Sequence, residues 1–337
     1  MKRAGTLTSR LRMPGWLGRA LQITATLALL VLIWRIAGGA EALTLLRSAQ
    51  PAWLAAAAML LMALTVLSAL RWRLTAAPLG IRLSARTAIA EYFLAQLVNT
   101  TLPGGVLGDV GRAARARHAA GVVAAAGSVI VERAIGQLAM LVVLSAGFVG
   151  TLTLATSIDW PRPVLTALAV LLPAAWAVLL AVLIGLRVRP DAAGRLARAA
   201  RALRRSVRSA PWQQVGLAMA TAACVLGAFA CCALAVGAPL SFAAVVAVVP
   251  LVLLAMLIPV SVAGWGVREG AAVALLPIAG VGAAQSLAVS VSFGLMALIA
   301  ALPGVATVWA RRRVMRPHAI STPEQTSHSH TSRRPHE

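Results

Sequence analysis

The sequence predicts an all-α polytopic membrane protein: a transmembrane helix bundle of about six full spans plus two re-entrant hairpins of opposite orientation. Three observations predict this fold class. Of the 337 residues, 60% are hydrophobic and only 12% are charged, whereas a soluble domain carries about 25% charged residues. Apolar runs of about 20 residues, the length that crosses a bilayer, recur along the chain. Short arginine-rich segments separate several of these runs.

Six apolar runs are long and continuous enough to be full spans. They are predicted at residues 21–40, 53–70, 131–154, 164–186, 215–236 and 285–309. Two further apolar regions, 89–108 and 243–279, are interrupted by Gly and Pro, which break helices. Irregular backbone at membrane depth is tolerated only where protein or a wet cavity covers it. Paired Gly/Pro-broken segments are typical of the binding site of transporters.

The arginines predict the orientation. Because cytoplasmic loops retain Lys and Arg, the arginine-rich segments at 71–86, 112–117, 187–208 and 311–316 are assigned to the cytoplasm. Arg86 and Arg112 then flank the first broken region on one side, so we expect a hairpin that enters from the cytoplasm. Counting the full spans in the same way puts both ends of the second broken region on the outer side, so we expect it to enter from the outer face. The alternative is two kinked spans in each region, with eight to ten helices in all.

The domain organisation follows from this topology. We expect a basic cytoplasmic N-terminus at 1–20, a transmembrane domain at 21–310 and a disordered cytoplasmic tail at 311–337, with both termini cytoplasmic. The segment 187–208 predicts a basic helix on the membrane surface. The net charge of +22 is explained by topology and by attraction to anionic lipids, and it does not predict nucleic-acid binding.

Acidic residues lie beside arginines within or next to the apolar runs. A charge at the bilayer centre costs at least about 2.5–3.5 kcal/mol, so such residues usually face a protein interior or a wet cavity. The sequence therefore predicts a polar site within the membrane. Its charged members are Asp109 and Arg112, Glu132 and Arg133, and Arg268 and Glu269.

The first motif runs from Asn99 to Arg112. Pro103 and Gly105 lie at a predicted helix break, and Asp109 is placed to cap a new helix that carries Arg112 one turn later. Free backbone amides, a helix N-terminus and an arginine together suit a phosphate group. The same residues also fit a plain Gly/Pro break with a capping Asp and a topology-setting Arg. Both interpretations stay open.

The other two motifs are doublets. Adjacent helical residues do not face each other, so Glu132 and Arg133 are expected to find other partners, with Arg112 the natural one for Glu132. Gly264 and Gly266 flank Trp265 in a second predicted break, with Arg268 and Glu269 at the start of the next helix. We expect these two neighbours not to pair with each other either. Arg268 then requires an acidic partner or an anionic ligand.

These motifs carry a family resemblance. Residues 99–112, the Glu132-Arg133 doublet and residues 258–269 resemble the flippase-like membrane family named for the transmembrane region of lysylphosphatidylglycerol synthase. The resemblance covers residues 21–309, although Ala263 and Trp265 depart from the family's pattern at the second glycine motif. It implies a multi-pass protein of the bacterial inner (plasma) membrane that moves, or helps to export, a lipid or lipid-linked precursor. Aminoacyl transfer is not expected from this chain.

The leading hypothesis is a lipid translocase. Arg112, Arg133 and Arg268 would bind an anionic head group, and the acids of the three motifs would position them or exchange protons. The charges are expected to converge across the two hairpins. One alternative is an accessory membrane subunit of envelope-lipid or hopanoid biosynthesis, with the enzymes of that pathway as partners. Another is an embedded enzyme acting on lipid phosphates through Mg²⁺. No catalytic triad, nucleotide loop or metal-ligand spacing is found in the sequence, so neither catalysis nor a cofactor is predicted.

Overall fold

The fold is known from a computed structural model that describes residues 15–102, 105–154, 158–188, 204–205, 208–258 and 261–314. Every regular element in these ranges is a helix, which confirms the all-α class. The helices are α1 (Gly15–Ile36), α2 (Gly39–Arg47), α3 (Pro51–Ala76), α4 (Ala85–Thr101), α5 (Leu107–Ala120), α6 (Val122–Thr153), α7 (Arg162–Val188), α8 (Pro211–Ala235), α9 (Phe242–Ala247), α10 (Val249–Leu254), α11 (Val267–Leu275), α12 (Ala283–Ala301) and α13 (Pro303–Val314).

Five helical segments are long and apolar enough to cross a membrane, and α1 joined to α2 is a sixth candidate. The five lie in α3, α6, α7, α8 and the continuous stretch Ala283–Trp309 of α12 and α13. They coincide with the runs predicted at 53–70, 131–154, 164–186, 215–236 and 285–309. The predicted polytopic bundle of about six spans is therefore confirmed. One boundary differs: α6 begins at Val122, so the acid–arginine doublet of this helix lies well inside it.

The first predicted span ends earlier than expected. The run 21–40 was expected to be continuous, but α1 stops at Ile36 and the chain bends by 89° into α2. Gly38 adopts a left-handed conformation (φ 71°, ψ 57°) at the bend, which a glycine reaches without steric cost. Gly39 lies directly against the ring of Trp34, where any side chain would overlap the indole. Local glycine chemistry therefore overrides the continuous apolar pattern.

The first broken region folds into a helical hairpin. In α5, Gly108 packs on the backbone of Ala95 in α4, and the Nε of Arg115 contacts the Oε2 of Glu91 at 2.7 Å. Because contacts later in α5 fall earlier in α4, the two helices are antiparallel, as the hairpin prediction requires. The hairpin is longer than its predicted core, since its helices span 85–120 with a break at 102–106. Its insertion from the cytoplasmic face stays a prediction.

The second broken region contains three short helices. After α10 a 3-10 turn, Ala255–Leu257, leads into an irregular segment, and α11 begins only at Val267. Gly264 and Gly266 have left-handed φ values of 82° and 87° in this segment, and Gly264 packs on Met256. The helix is therefore interrupted where the glycines predict a break.

The bundle is built around α3 and α8. The amide of Gln50 donates to the carbonyl of Ala235 at 2.9 Å, which ties together one end of each helix. Phe229 of α8 and Phe293 of α12 stack with ring centroids 5.4 Å apart in the apolar core. All three cysteines lie in α8 as free thiols, consistent with packing residues. The terminal segments 1–14 and 315–337, and most of the predicted basic helix at 187–208, lie outside the described residues.

Candidate functional site

Glu132 is the centre of a buried ionic network, which we call the first cluster. Its carboxylate accepts hydrogen bonds from the Nη2 of Arg71 at 2.5 Å, the hydroxyl of Tyr92 at 3.0 Å and the Nη2 of Arg112 at 3.3 Å. The same Arg112 nitrogen donates to the Oδ1 of Asp109 at 2.9 Å. With Arg133, which binds Asp109, four members of the cluster come from the predicted site. Arg71 and Tyr92 were not predicted.

A pattern in the sequence indicates that Arg71 is buried, although its place at the end of an apolar run points to a topology-setting role. Arg71 lies near the end of an apolar run, where it was assigned to a topology-setting arginine segment. Inside α3, however, the buried polar residues Thr65, Ser68, Arg71 and Thr75 recur at helical spacing. That period marks a polar face within a span, and Arg71 is the charged member of that face. Tyr92 is distinctive because it is the only tyrosine of the chain.

Arg112 is enclosed by aromatic rings. Its guanidinium carbon lies 4.5 Å from the ring centroid of Trp72 and 4.3 Å from that of Tyr92, distances typical of cation–π contacts. The Trp72 indole is fixed by donating to the hydroxyl of Ser128 at 3.0 Å. Arg112 is fully buried, yet within the described part of the chain its Nε and Nη1 have no hydrogen-bond partner, and neither does the Nε of Arg71. Buried donors of this kind call for an explanation, because a buried N–H group without a hydrogen bond costs free energy.

The start of α5 is held by Asn99, a role that the sequence analysis did not predict. The Oδ1 of Asn99 accepts from the amide of Gly108 at 2.7 Å, and its Nδ2 donates to Asp109 at 3.3 Å. Asp109 therefore lies in the first turn of α5 and is not the residue that caps it, so the predicted capping role is wrong. Gly105 has a left-handed φ of 59° with open space around it. Pro103 lies outside the described residues.

Arg133 is the exposed member of the first cluster. Its Nη2 donates to the Oδ2 of Asp109 at 2.5 Å, whereas Glu132 binds other arginines, so this doublet does not pair internally, as expected. The side chain of Arg133 is 45% exposed, while the other four charged side chains of the cluster are at most 9% exposed. Among the described residues, the three guanidinium groups of the cluster share two carboxylates, which gives the cluster one excess positive charge.

Arg268 and Glu269 form a second cluster, and here the prediction was wrong. The two neighbours do pair, through Arg268 Nη2 and Glu269 Oε1. The Nε of Arg268 also donates to Ser290 at 3.0 Å, and its guanidinium carbon lies 5.0 Å from the Trp265 ring centroid. Glu269 accepts from the amide of Gly266 at 2.6 Å. The pairing is possible because Arg268 begins a short helix, where its long side chain can fold back within the first turn.

The two clusters are separate, so the predicted convergence across the hairpins is not observed. Among the described residues no hydrogen bond or salt bridge joins them. At about 1.5 Å per helical residue, Arg71 lies about 30 Å from Pro51 along α3, and Glu132 lies about 30 Å from Thr153 along α6. The hydrocarbon core of a bilayer is about 30 Å thick. Taken as full crossings of that core, α3 and α6 would place the first cluster near one of its boundaries.

The segment that carries the second cluster packs along α1. The amide of Val262 donates to the hydroxyl of Thr26 at 2.8 Å, and Thr26 lies about 15 Å from Ile36 along α1 at 1.5 Å per residue. Gly266 and Gly270, four residues apart, lie against Leu29 and Ile33. Glycines at this spacing let membrane helices approach closely. The role of Gly266 in holding α1 was missed by the sequence analysis, although the spacing was visible.

The helices and clusters together define a multi-pass helical membrane protein with two separate, buried ionic clusters. Within the described ranges, no three His, Cys, Asp or Glu side chains are grouped as metal ligands. The chain belongs to the family described as the lysylphosphatidylglycerol synthase TM region, whose model matches residues 20–304. No curated protein and no solved structure matches the chain. Membership of this family indicates a lipid-related function in the membrane.

Proposed function

We propose that the protein moves a lipid or lipid-linked precursor across the bilayer, without catalysing a reaction, by binding the anionic head group at the first cluster. The observation that carries this function is the uncompensated positive charge of the cluster. An unpaired charge at the edge of a low-dielectric region is costly, and an anionic ligand would neutralise it. The unpartnered donors of Arg71 and Arg112 support the same assignment.

Arg133 is the residue on which the head group would first bind. Its hydrogen bond to Asp109 uses Nη2, so the other N–H groups of the guanidinium are available for charge-assisted hydrogen bonds to a phosphate. Apolar side chains flank this position. Ile130, one turn before Arg133, and Val106, one turn before Asp109, are both exposed and offer a surface for acyl chains.

The depth of the first cluster fits this role. Phosphates of a bilayer lie just outside the hydrocarbon core, at the boundary where Arg71 and Glu132 are found. We assign this boundary to the cytoplasmic side of a bacterial inner membrane, because the arginine-rich segments fall at this end of the bundle. Arg268 is buried and paired with Glu269, so it would contact the head group only after the head group has bound at Arg133.

The test is the rate of lipid translocation in proteoliposomes with a fluorescent anionic phospholipid. Arg133→Gln removes the exposed guanidinium without touching the aromatic enclosure of Arg112. Loss of a charge-assisted hydrogen bond, worth about 1.5–3 kcal/mol, should slow translocation at least about tenfold. The same variant should retain less anionic phospholipid after purification, as measured by mass spectrometry.

Arg117→Gln is the matched control, since Arg117 is an exposed arginine of α5 outside the cluster. This variant should keep the wild-type rate and the wild-type lipid content. Equal slowing by both variants would mean that surface charge in general, and not the first cluster, attracts the lipid. Retention of lipid by a wild-type protein that translocates none would favour the accessory role in envelope-lipid or hopanoid biosynthesis.

A further inference from the structure

Helix α1 lies at the margin of the bundle and covers the second broken segment. Of its side chains, Thr26 and Ile33 are buried against the protein, while Leu27 and Val31 on the other face are 58% and 57% exposed. The Thr26 hydroxyl accepts from the amide of Val262, in the irregular stretch before α11. An amide left unbonded at membrane depth is costly, so α1 completes the hydrogen bonding of this segment.

The attachment of α1 to α11 is otherwise made of apolar contacts. A side chain at Gly266 would come within 2.9 Å of the Cβ of Leu29, and one at Gly270 within 3.4 Å of the Cδ1 of Ile33. Apolar contacts between helices have no hydrophobic driving force in a bilayer, because lipid tails are as apolar as the side chains. Separation of α1 from α11 breaks the Thr26–Val262 hydrogen bond and exchanges the apolar contacts described here for contacts with lipid.

The junction of α1 and α2 has the geometry of a hinge. The chain bends by 89° at Gly38, whose left-handed backbone is not held in a regular helix. Beyond the hinge, α2 stays on the bundle, with Ala42 buried and Gly38 close to Ala284 of α12. Thus α1 can turn about one end while α2 remains in place.

We propose that the seam between α1 and α11 is a lateral opening to the bilayer, and that α1 is its cover. When α1 moves away, the polar group of a lipid gains access from the side to the Arg268–Glu269 pair, which is otherwise 3% exposed or less. The movement of α1 is a property of this packing alone. The role of the opening as a route for lipid rests on the function proposed above.

The experiment locks the seam with a reversible cross-link. Ile33→Cys and Gly270→Cys are introduced together in a background in which Cys224, Cys231 and Cys232 are replaced by Ala. These positions face each other across the seam, and a side chain at 270 is in ordinary contact distance of residue 33. Oxidation should slow lipid translocation at least tenfold, and reduction should restore it.

A matched lock within the body of the bundle is the control. Leu60→Cys with Gly227→Cys joins α3 to α8 through a contact of similar geometry, since a side chain at Gly227 would lie 3.3 Å from the Cδ1 of Leu60. These two helices form the stationary core and do not cross the seam. Oxidation of this pair should leave the translocation rate unchanged.

A second measurement follows the movement without depending on transport. Ser261→Cys is added to each lock, and its modification by a maleimide in nanodiscs is followed by peptide mass spectrometry. Ser261 is buried next to Val262, whose amide is bonded to α1, so we expect opening of the seam to expose it. The rate at position 261 should fall at least tenfold when the seam is locked, and should not change when the core is locked.

The outcomes separate the two proposals. An equal modification rate at position 261 in the locked and reduced seam would overturn the movement of α1, whatever the transport result. Slower modification together with undiminished translocation would overturn the seam as the lipid route. If the reduced protein moves no lipid at all, the proposed function fails, while the modification rate still decides whether α1 is a cover.

Discussion

The guanidinium of Arg71 lies 2.5 Å from the carboxylate of Glu132 and joins α3 to α6 inside the bundle. The other nitrogen of its fork, Nη1, donates to Thr221 of α8 at 2.9 Å. Tyr92 of α4 and Arg112 of α5 meet the same carboxylate. Five helices therefore converge on one ionic junction, which both holds the fold together and provides the charge for a ligand.

Arg71→Met tests the structural part of this junction. Removing one partner of a buried ion pair leaves the other charge uncompensated and typically costs about 3–5 kcal/mol. We expect a loss of that size in the free energy of unfolding, measured by SDS titration in mixed micelles. Arg73→Met, two residues along on the exposed side of α3, should change it by less than about 0.5 kcal/mol. Similar losses in both variants would show that the network is not a stabilising junction.

Gly108→Ala tests the close approach of α4 and α5. An added methyl group would overlap the backbone of Ala95, which cannot move as a flexible side chain could. Overpacking of this kind typically costs about 1–3 kcal/mol, and the helix start that positions Asp109 should shift with it. Gly150→Ala is the control, because nothing lies within 4 Å of the added atom and alanine favours a helix by about 0.5–1 kcal/mol. A neutral Gly108→Ala would refute the hairpin packing.

Thr26→Val tests the cover over the second broken segment. The variant keeps the shape of the side chain but leaves the amide of Val262 without its acceptor, at a cost of about 1–3 kcal/mol. Hydrogen exchange at the Val262 amide should become faster, measured by mass spectrometry in nanodiscs. Thr65→Val should leave that exchange unchanged, since the Thr65 hydroxyl bonds only its own helix at Leu61. Unaltered exchange in Thr26→Val would count against α1 as the cover.

Arg268→Met and Glu269→Gln test whether the second cluster is a coupled pair. Each single change leaves one buried charge unpaired, so each should lower the free energy of unfolding by about 3–5 kcal/mol. The double variant should lose less than the sum of the two, by a coupling energy of about 0.5–3 kcal/mol. Additive losses in SDS titrations would mean that the two side chains do not depend on each other.

Much of the fold followed from the sequence. The all-helical class and the positions of five long spans came from runs of apolar residues, a pattern that any helix in lipid requires. The breaks at 102–106 and 258–266 followed from Gly and Pro, which act on the local backbone. The end of α1 at Ile36 did not, because the apolar run continues through the bend that Gly38 permits.

The site was predicted less completely, for a physical reason. Local spacing correctly separated Glu132 from Arg133 and suggested Arg112 as the partner of Glu132. Spacing gave the wrong result for Arg268 and Glu269, since a flexible side chain at a helix start can reach back to its neighbour. Arg71 is 61 residues from Glu132 along the chain, and no local pattern connects them.

The sequence by itself determined which segments enter the membrane and which charges must enter with them, because apolar length and helix-breaking residues act locally. Only the tertiary structure decided how those charges pair. The six predicted charges divide into two clusters, which no hydrogen bond or salt bridge among the described residues joins. That division depends on how helices distant in the chain pack side by side, since low-dielectric surroundings force each buried charge to find whichever partner the packing brings near.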